Sequence, residues 1–264
     1  SAYLVDWLLF HEGDLSASAA PGRAHSPHLP ANVHSIDLGP DGLAAKVAFG
    51  MAKVLGWQGV STRRLAAMFK TLFRDHPRLV AEYKPAFGSI FEKHLKHYTH
   101  WGYTDADVIW GDIPRFVELS ELEGTDVFTW TFGDQRALYL RGQWTVHANT
   151  NRINHVWAEC AHLGAGLMKE VQAKVAHEAK RKNSTKKAGA RRFISAEGCY
   201  SKAMAALPWV RMRFTPKQLI GDDARDPVVA AVGGRVWSCD RQVVTRASVG
   251  QFLGAVAAAG GGRP

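Results

Sequence analysis

Asp105, Asp107 and Asp112 fall within eight positions of one another in the run THWGYTDADVIWGDIPRF, directly behind Trp101, Gly102 and Tyr103. In an extended segment, side chains at i and i+2 point to the same side, so Asp105 and Asp107 can present both carboxylates to one point. Two like charges brought together raise each other's pKa unless a cation or hydrogen-bond donors offset them. A divalent metal does this, and hard oxygen ligands favour Mg²⁺ or Mn²⁺, ions that retain waters and share substrate phosphates. An Asp-x-Asp at a strand end therefore reads as a metal-diphosphate site. The same residues also suit a surface turn, with Asp105 capping a local bend and Asp112 capping a helix that starts near Pro114. Spacing alone leaves both readings open.

These acids need a strand to deliver them, and the apolar pattern supplies one. His100 to Tyr103 reads as a strand whose carboxyl end carries Asp105 and Asp107. Before it, YKPAFGSIFEKHLKHY predicts a helix with Pro85 in its first turn and Phe87, Ile90, Phe91, Leu95 and Tyr98 on one face. Leu4 to Phe10 and HLPANVHSIDL read as earlier strands, and residues 41–56 and 63–74 as helices from their three- and four-residue apolar spacing. After the acids, TDVFTW and QRALYLRGQWTVHAN read as strands, and INHVWAECAHLGAGLMKEVQAKVAHEAKRK as one helix or two broken near Gly164 and Gly166. Strands alternating with helices predict an α/β layer fold, in which functional groups gather beyond the carboxyl ends of the strands.

Composition narrows the partners. The chain has 264 residues, 46% apolar and 22% charged, as in an ordinary globular protein. The formal charge of +9 suggests a polyanion at first. Its distribution argues against nucleic acid: nine basic residues from Lys169 to Arg192 face two acids, Glu170 and Glu178, and the remainder is close to neutral. The stretch KRKNSTKKAGARR reads as a solvated, mobile insertion. Cys160, Cys199 and Cys239 lack metal-ligand spacing. They read as three buried thiols, with one disulfide plus a free thiol as the alternative in an oxidising compartment. No apolar run reaches the ~20 residues that span a bilayer. The opening YLVDWLLF reads as the start of a piece of a longer protein.

The run YKPAFGSIFEKHLKHYTHWGYTDADVIWGDIPRF resembles the central motif of a GT-A-type glycosyltransferase-like family, with its Lys-Pro-x-x-Gly, aromatic-Gly-Tyr, Asp-x-Asp and Gly-Asp-Ile elements. VDWLLFHEGD, LPANVHSIDL and LYLRGQWTVHANTNRIN resemble further pieces in order, so the likeness covers roughly residues 4–160. It implies a GT-A-like, Rossmann-related mixed sheet flanked by helices, without its first strand and helix in this chain. It also implies a metal-dependent transfer of sugar from a nucleotide-sugar, UDP- or GDP-linked, to a glycan, protein or lipid acceptor. Asp107 would hold Mn²⁺ or Mg²⁺ on the donor diphosphate, and Asp105 the ribose or the metal's water shell. Lys84 is a candidate second cation near phosphate, and Tyr103 a candidate donor contact, although Trp101 and Tyr103 alternate as core residues do. Glu197 is a candidate base or acceptor-orienting acid, or simply the start of the helix EGCYSKAMAAL. Gly142 and Gln143 stand where the family carries a histidine; His147, a candidate metal ligand, or Asn149 is the expected replacement.

The expected organisation is a catalytic core over 1–168, a basic insertion over 169–192, a completing segment over 193–253 and a disordered tail over 254–264. Two other functions fit the residues: a catalytically degenerate carbohydrate-binding or scaffold protein, and a metal-dependent phosphoesterase or nucleic-acid enzyme. The sequon Asn183-Ser184-Thr185 suits a secretory, Golgi-like lumen, with the cytoplasm as the alternative and any membrane contact made through a segment outside this chain.

Overall fold

The computed structural model describes residues 5–13, 29–106, 108, 110, 113–130, 140, 142–182, 196–215, 228–232 and 235–239. It is a mixed α/β protein. Strand β1 (Trp7–His11) pairs in parallel with β2 (Val33–Asp37). The helix α1 (Gly42–Val54) follows, burying Ala44, Val47, Ala48, Met51 and Ala52, a spacing of three and four that makes one apolar stripe. Helix α2 (Val60–Asp75) starts after Gly59, whose φ of 61° a side chain would resist, and buries Leu65, Phe69 and Leu72. Pro77 then opens a 3₁₀ helix, Pro77–Ala86, in place of a further α turn.

The predicted single helix over 83–98 is the main local departure. Pro85 lies inside the 3₁₀ run, and short turns α3 (Phe87–Ile90) and α4 (Glu92–Leu95) follow. A proline lacks the N–H that an α-helix needs and crowds the carbonyl four residues back. Tertiary contacts set the rest. Gly88 presses on the Trp101 ring, and a β-carbon there would sit 2.5 Å from the indole Cζ2. Ser89 donates to the Asn154 carbonyl at 2.6 Å and accepts from Trp157 Nε1 at 2.8 Å.

The central sheet has the order β3 (His100–Thr104), β5 (Trp144–Ala148), β4 (Val127–Trp130), β6 (Met212–Thr215). Its first two pairings are antiparallel and the last is parallel. All four residues of β4 are buried, so both faces of the sheet are covered. On one face Trp130 stacks on Trp144 at 3.9 Å, with Val117 and Phe128 beside them. On the other lies the main core, built from α1, α2, the 3₁₀ helix, α8 (Leu167–Lys182) and α9 (Ala196–Ala205). The short turns α5 (Ile113–Phe116) and α6 (Leu119–Leu122) lead into β4, while α7 (Asn151–Asn154) and a 3₁₀ turn, Val156–Glu159, follow β5. A hairpin of β7 (Val228–Val232) and β8 (Arg235–Cys239) completes the described elements.

Leu167–Lys182 form α8, within the stretch read as helical, and Val171 and Lys174 are buried against neighbouring elements. One expectation changes here. Cys160 and Cys199 are joined in a disulfide rather than held as separate thiols. Their spacing of 39 residues carries no recognisable motif, so only the fold that sets α9 beside the 3₁₀ turn brings them together. Asp107, Asp112, the rest of the basic stretch with Asn183, part of the predicted strand before Gly142, and the tail over 254–264 lie outside the described residues.

Candidate functional site

The side chains that meet at the carboxyl end of β3 come from three separate elements, and a fourth segment, the lead-in to β5, adds the Gly142 backbone. Along β3, Trp101, Tyr103 and Asp105 alternate onto one face, the first two buried and Asp105 at the rim with a side chain 35% exposed. The ladder to β5 continues as far as Asp105, whose N–H donates to the Gln143 carbonyl. The 3₁₀ helix delivers Lys84, which is only 8% exposed. Its ammonium donates to Asp105 Oδ1 and to the Gly142 carbonyl, the latter at 3.0 Å, and sits 5.9 Å from the centre of the Tyr103 ring. A buried ammonium needs such partners, because removing it from water unpaired is costly.

Helix α9 delivers Glu197 in its first turn. Burial pushes its carboxyl above the ordinary range; the Gly142 backbone hydrogen bond and nearby Lys84 oppose that rise, while Glu82 and Asp105 add to it. Gly142 lies close against this carboxyl: a β-carbon there would overlap Glu197 Oε1 as it stands, so the flexible end of the glutamate would have to swing aside. The helix is held in place along its first half. Ala196 N–H donates to Glu82 Oε2 at 2.8 Å, Leu140 N–H donates to Ser201 Oγ at 2.8 Å, and the disulfide at Cys199 anchors the same turn to the 3₁₀ segment ending at Glu159. Glu82 also lies 3.9 Å from Lys174 Nζ, a second buried cation, which in turn is 3.5 Å from Glu170.

The fold thus brings Lys84, Tyr103, Asp105 and Glu197 together. It does not bring His147 to them. His147 is opposite Trp101 in the register, four positions down the strand from Asp105, and its fully buried ring stacks on Trp101 at 4.4 Å. Burial lowers its pKa to about 3, so it is a neutral core imidazole. Asn149 is also elsewhere, donating to the Leu95 and Tyr98 carbonyls at the opposite end of β3. Tyr103 supplies a buried floor beneath Lys84, with its hydroxyl bonded to Thr145 and its pKa raised by burial. Asp107 lies outside the described residues.

Sequence reasoning missed Glu82 and the close approach of Gly142 to Glu197. A glycine just before an aromatic, β-branched strand was the available signal for close approach. Among the described residues no group of three His, Cys, Asp or Glu side chains is placed to hold a metal. Mg²⁺ and Mn²⁺ commonly use one or two carboxylates with substrate phosphates completing the shell, so Asp105 at the rim fits a shared site. Two concavities among the described residues, about 200 Å³ between α2 and α8 and about 420 Å³ beside Trp209, are lined by other residues.

Residues 63–181, less than half of the chain, match a family of unknown function (DUF6625). This stretch holds Lys84, Tyr103, Asp105 and His147 and leaves Glu197 beyond it. No curated protein and no solved structure matches the chain.

Proposed function

We propose that the chain is a GT-A-like, metal-dependent glycosyltransferase that transfers a sugar from a UDP- or GDP-linked donor to a glycan, protein or lipid acceptor. The observation that carries this reading is the junction of Asp105, buried Lys84 and Glu197 around the Gly142 backbone at the carboxyl end of β3. A strand end of this kind is where α/β proteins assemble ligand sites. Asp105 and Asp107 would hold Mn²⁺ or Mg²⁺, which supplies charge neutralisation for a leaving diphosphate. Lys84 carries a fixed positive charge to the same place and can bind a phosphate oxygen. Glu197, whose carboxyl holds its proton more tightly than an exposed glutamate, can exchange a proton with an acceptor hydroxyl. Tyr103 supports the lysine from below and excludes water from its stem.

The Cys160–Cys199 bond supports an oxidising, secretory compartment, a Golgi-like lumen in this reading. Among the described residues no helix is long and apolar enough to cross a membrane. Calorimetric titration of the protein with a panel of nucleotide-sugars in the presence of Mn²⁺ tests the assignment. One donor should bind, and Asp107→Ala should abolish that binding. Absence of binding across the panel, or binding indifferent to Asp107→Ala, rejects it.

One observation favours a second reading. Lys84 already offsets the charge of Asp105, as a protein that kept the fold and lost the reaction would allow. Such a carbohydrate-binding or scaffold protein would bind glycans without consuming donor, whereas donor hydrolysis or sugar transfer by the protein excludes it.

A further inference from the structure

Lys84 is the one cation among the described residues that is paired with Asp105, and it reaches that carboxylate from the interior. Its ammonium has three hydrogens, and two of them are donated, to Asp105 Oδ1 and the Gly142 carbonyl. Among the described residues the third has no acceptor. The head is therefore anchored to a buried backbone carbonyl and to a carboxylate at the exposed rim. A divalent cation arriving at Asp105 without its diphosphate would meet that ammonium at close range. It could bind Asp105 only by repelling Lys84 or by pushing it off a carboxylate that its burial requires. A diphosphate changes the balance, because its oxygens offer Lys84 a second anionic partner within the pivot of its own head group.

Resting on the function proposed above, we propose that Lys84 competes with the divalent cation for Asp105 and is handed to the donor's diphosphate when both ligands are bound, so that metal and nucleoside diphosphate bind cooperatively. Metal alone binds weakly because a resident cation holds its ligand. Diphosphate raises metal affinity, and by linkage the metal raises diphosphate affinity by the same factor. The residues that make this exchange work are Gly142, whose carbonyl keeps the ammonium at the site, and Tyr103, which packs under it.

The test uses the full chain and the electron paramagnetic resonance signal of free Mn²⁺, titrated alone and with saturating UDP, GDP or inorganic pyrophosphate, with binding of Mn²⁺ to those ligands in solution subtracted. For the wild type, at least one of the three should tighten Mn²⁺ binding by about fivefold or more, the lower end of ordinary coupling. Lys84→Met should bind Mn²⁺ alone several-fold more tightly than the wild type and show a smaller enhancement by the same ligand. Lys84→Arg, which keeps the charge, should retain weak binding of the metal alone. Equal Mn²⁺ affinity with and without all three ligands overturns the inference whatever the variants do. A folded Lys84→Met protein that binds Mn²⁺ no more tightly than the wild type also overturns it, and leaves the glycosyltransferase reading standing. No Mn²⁺ binding by the wild type under any condition removes the metal-dependent function itself and this inference with it.

Discussion

Gly142 lies against Glu197 so closely that any β-carbon on the glycine would overlap the glutamate's Oε1. The contact joins the lead-in to β5 with the first turn of α9, and the same glycine's carbonyl accepts from Lys84 at 3.0 Å. One backbone position thus touches both the buried ammonium of Lys84 and the half-buried carboxyl of Glu197.

Gly142→Ala should cost at most about 1 kcal/mol of stability, the low end of the overpacking range, because its methyl meets the flexible end of Glu197 rather than backbone or a ring. Adding Glu197→Ala should recover much of the loss, because the second change removes the group that is struck. Denaturant unfolding of the two single variants and the double variant measures this, and simple additivity of the losses would show that the contact does not limit the fold.

Burial raises the Glu197 pKa, so the folded chain keeps a proton that the unfolded chain releases. The stability gained from that proton is full below the ordinary glutamate range and is lost as pH rises through the raised folded value. Glu197→Gln should flatten this decline on the side just above the ordinary range. Stability curves of the two proteins that stay parallel there would reject the assignment.

Gly88→Ala should destabilise the protein by at least about 1–3 kcal/mol, because the new methyl meets the rigid Trp101 ring rather than a flexible chain end. Near-ultraviolet dichroism should change with it, since Trp101 also donates to Asn154 Oδ1 at 2.7 Å and stacks on His147. An unaltered tryptophan spectrum and unaltered unfolding midpoint would contradict this packing.

His147 stays neutral in the folded protein down to a pKa of about 3, whereas an unfolded histidine takes up a proton in the ordinary imidazole range. Stability is therefore full above that range and is lost as pH falls toward the folded value, with a limiting slope of about 1.4 kcal/mol per pH unit. Replacing the residue in His147→Phe should remove that slope. Comparing unfolding free energies of both proteins at about pH 6 and pH 4 checks it; equal acid losses would exclude His147 as their source.

Breaking the Cys160–Cys199 bond in a Cys160→Ser, Cys199→Ser double variant should lower stability by about 3–4 kcal/mol, the loop-entropy figure for a closure of this length. Peptide mapping before and after reduction establishes whether these two cysteines pair. A bond from either one to Cys239 instead would refute the pairing, and with it the support for an oxidising compartment.

The local order of this protein is written in short spacings. Helices α1 and α2 follow from apolar residues at three and four, and the alternation of Trp101, Tyr103 and Asp105 follows from the two-residue period of a strand. Both are properties of neighbouring residues, so the chain itself declares them. The helix expected over 83–98 was not declared in this way, because its apolar face is compatible with a continuous helix while Gly88 and Ser89 answer to Trp101, Asn154 and Trp157 far along the chain.

The site divides along the same line. Residue types alone marked Asp105 as an acid at a strand end. That its first partner is the ammonium of Lys84, 21 residues earlier, and that Lys84 also reaches a carbonyl 58 residues away, depended on how three elements pack. Likewise His147 had the chemistry of a ligand but the address of a core residue, and the two cysteines had no spacing that pairs them. Contacts between distant segments arise from burying apolar faces against one another, and a linear pattern records which faces exist without recording which ones meet.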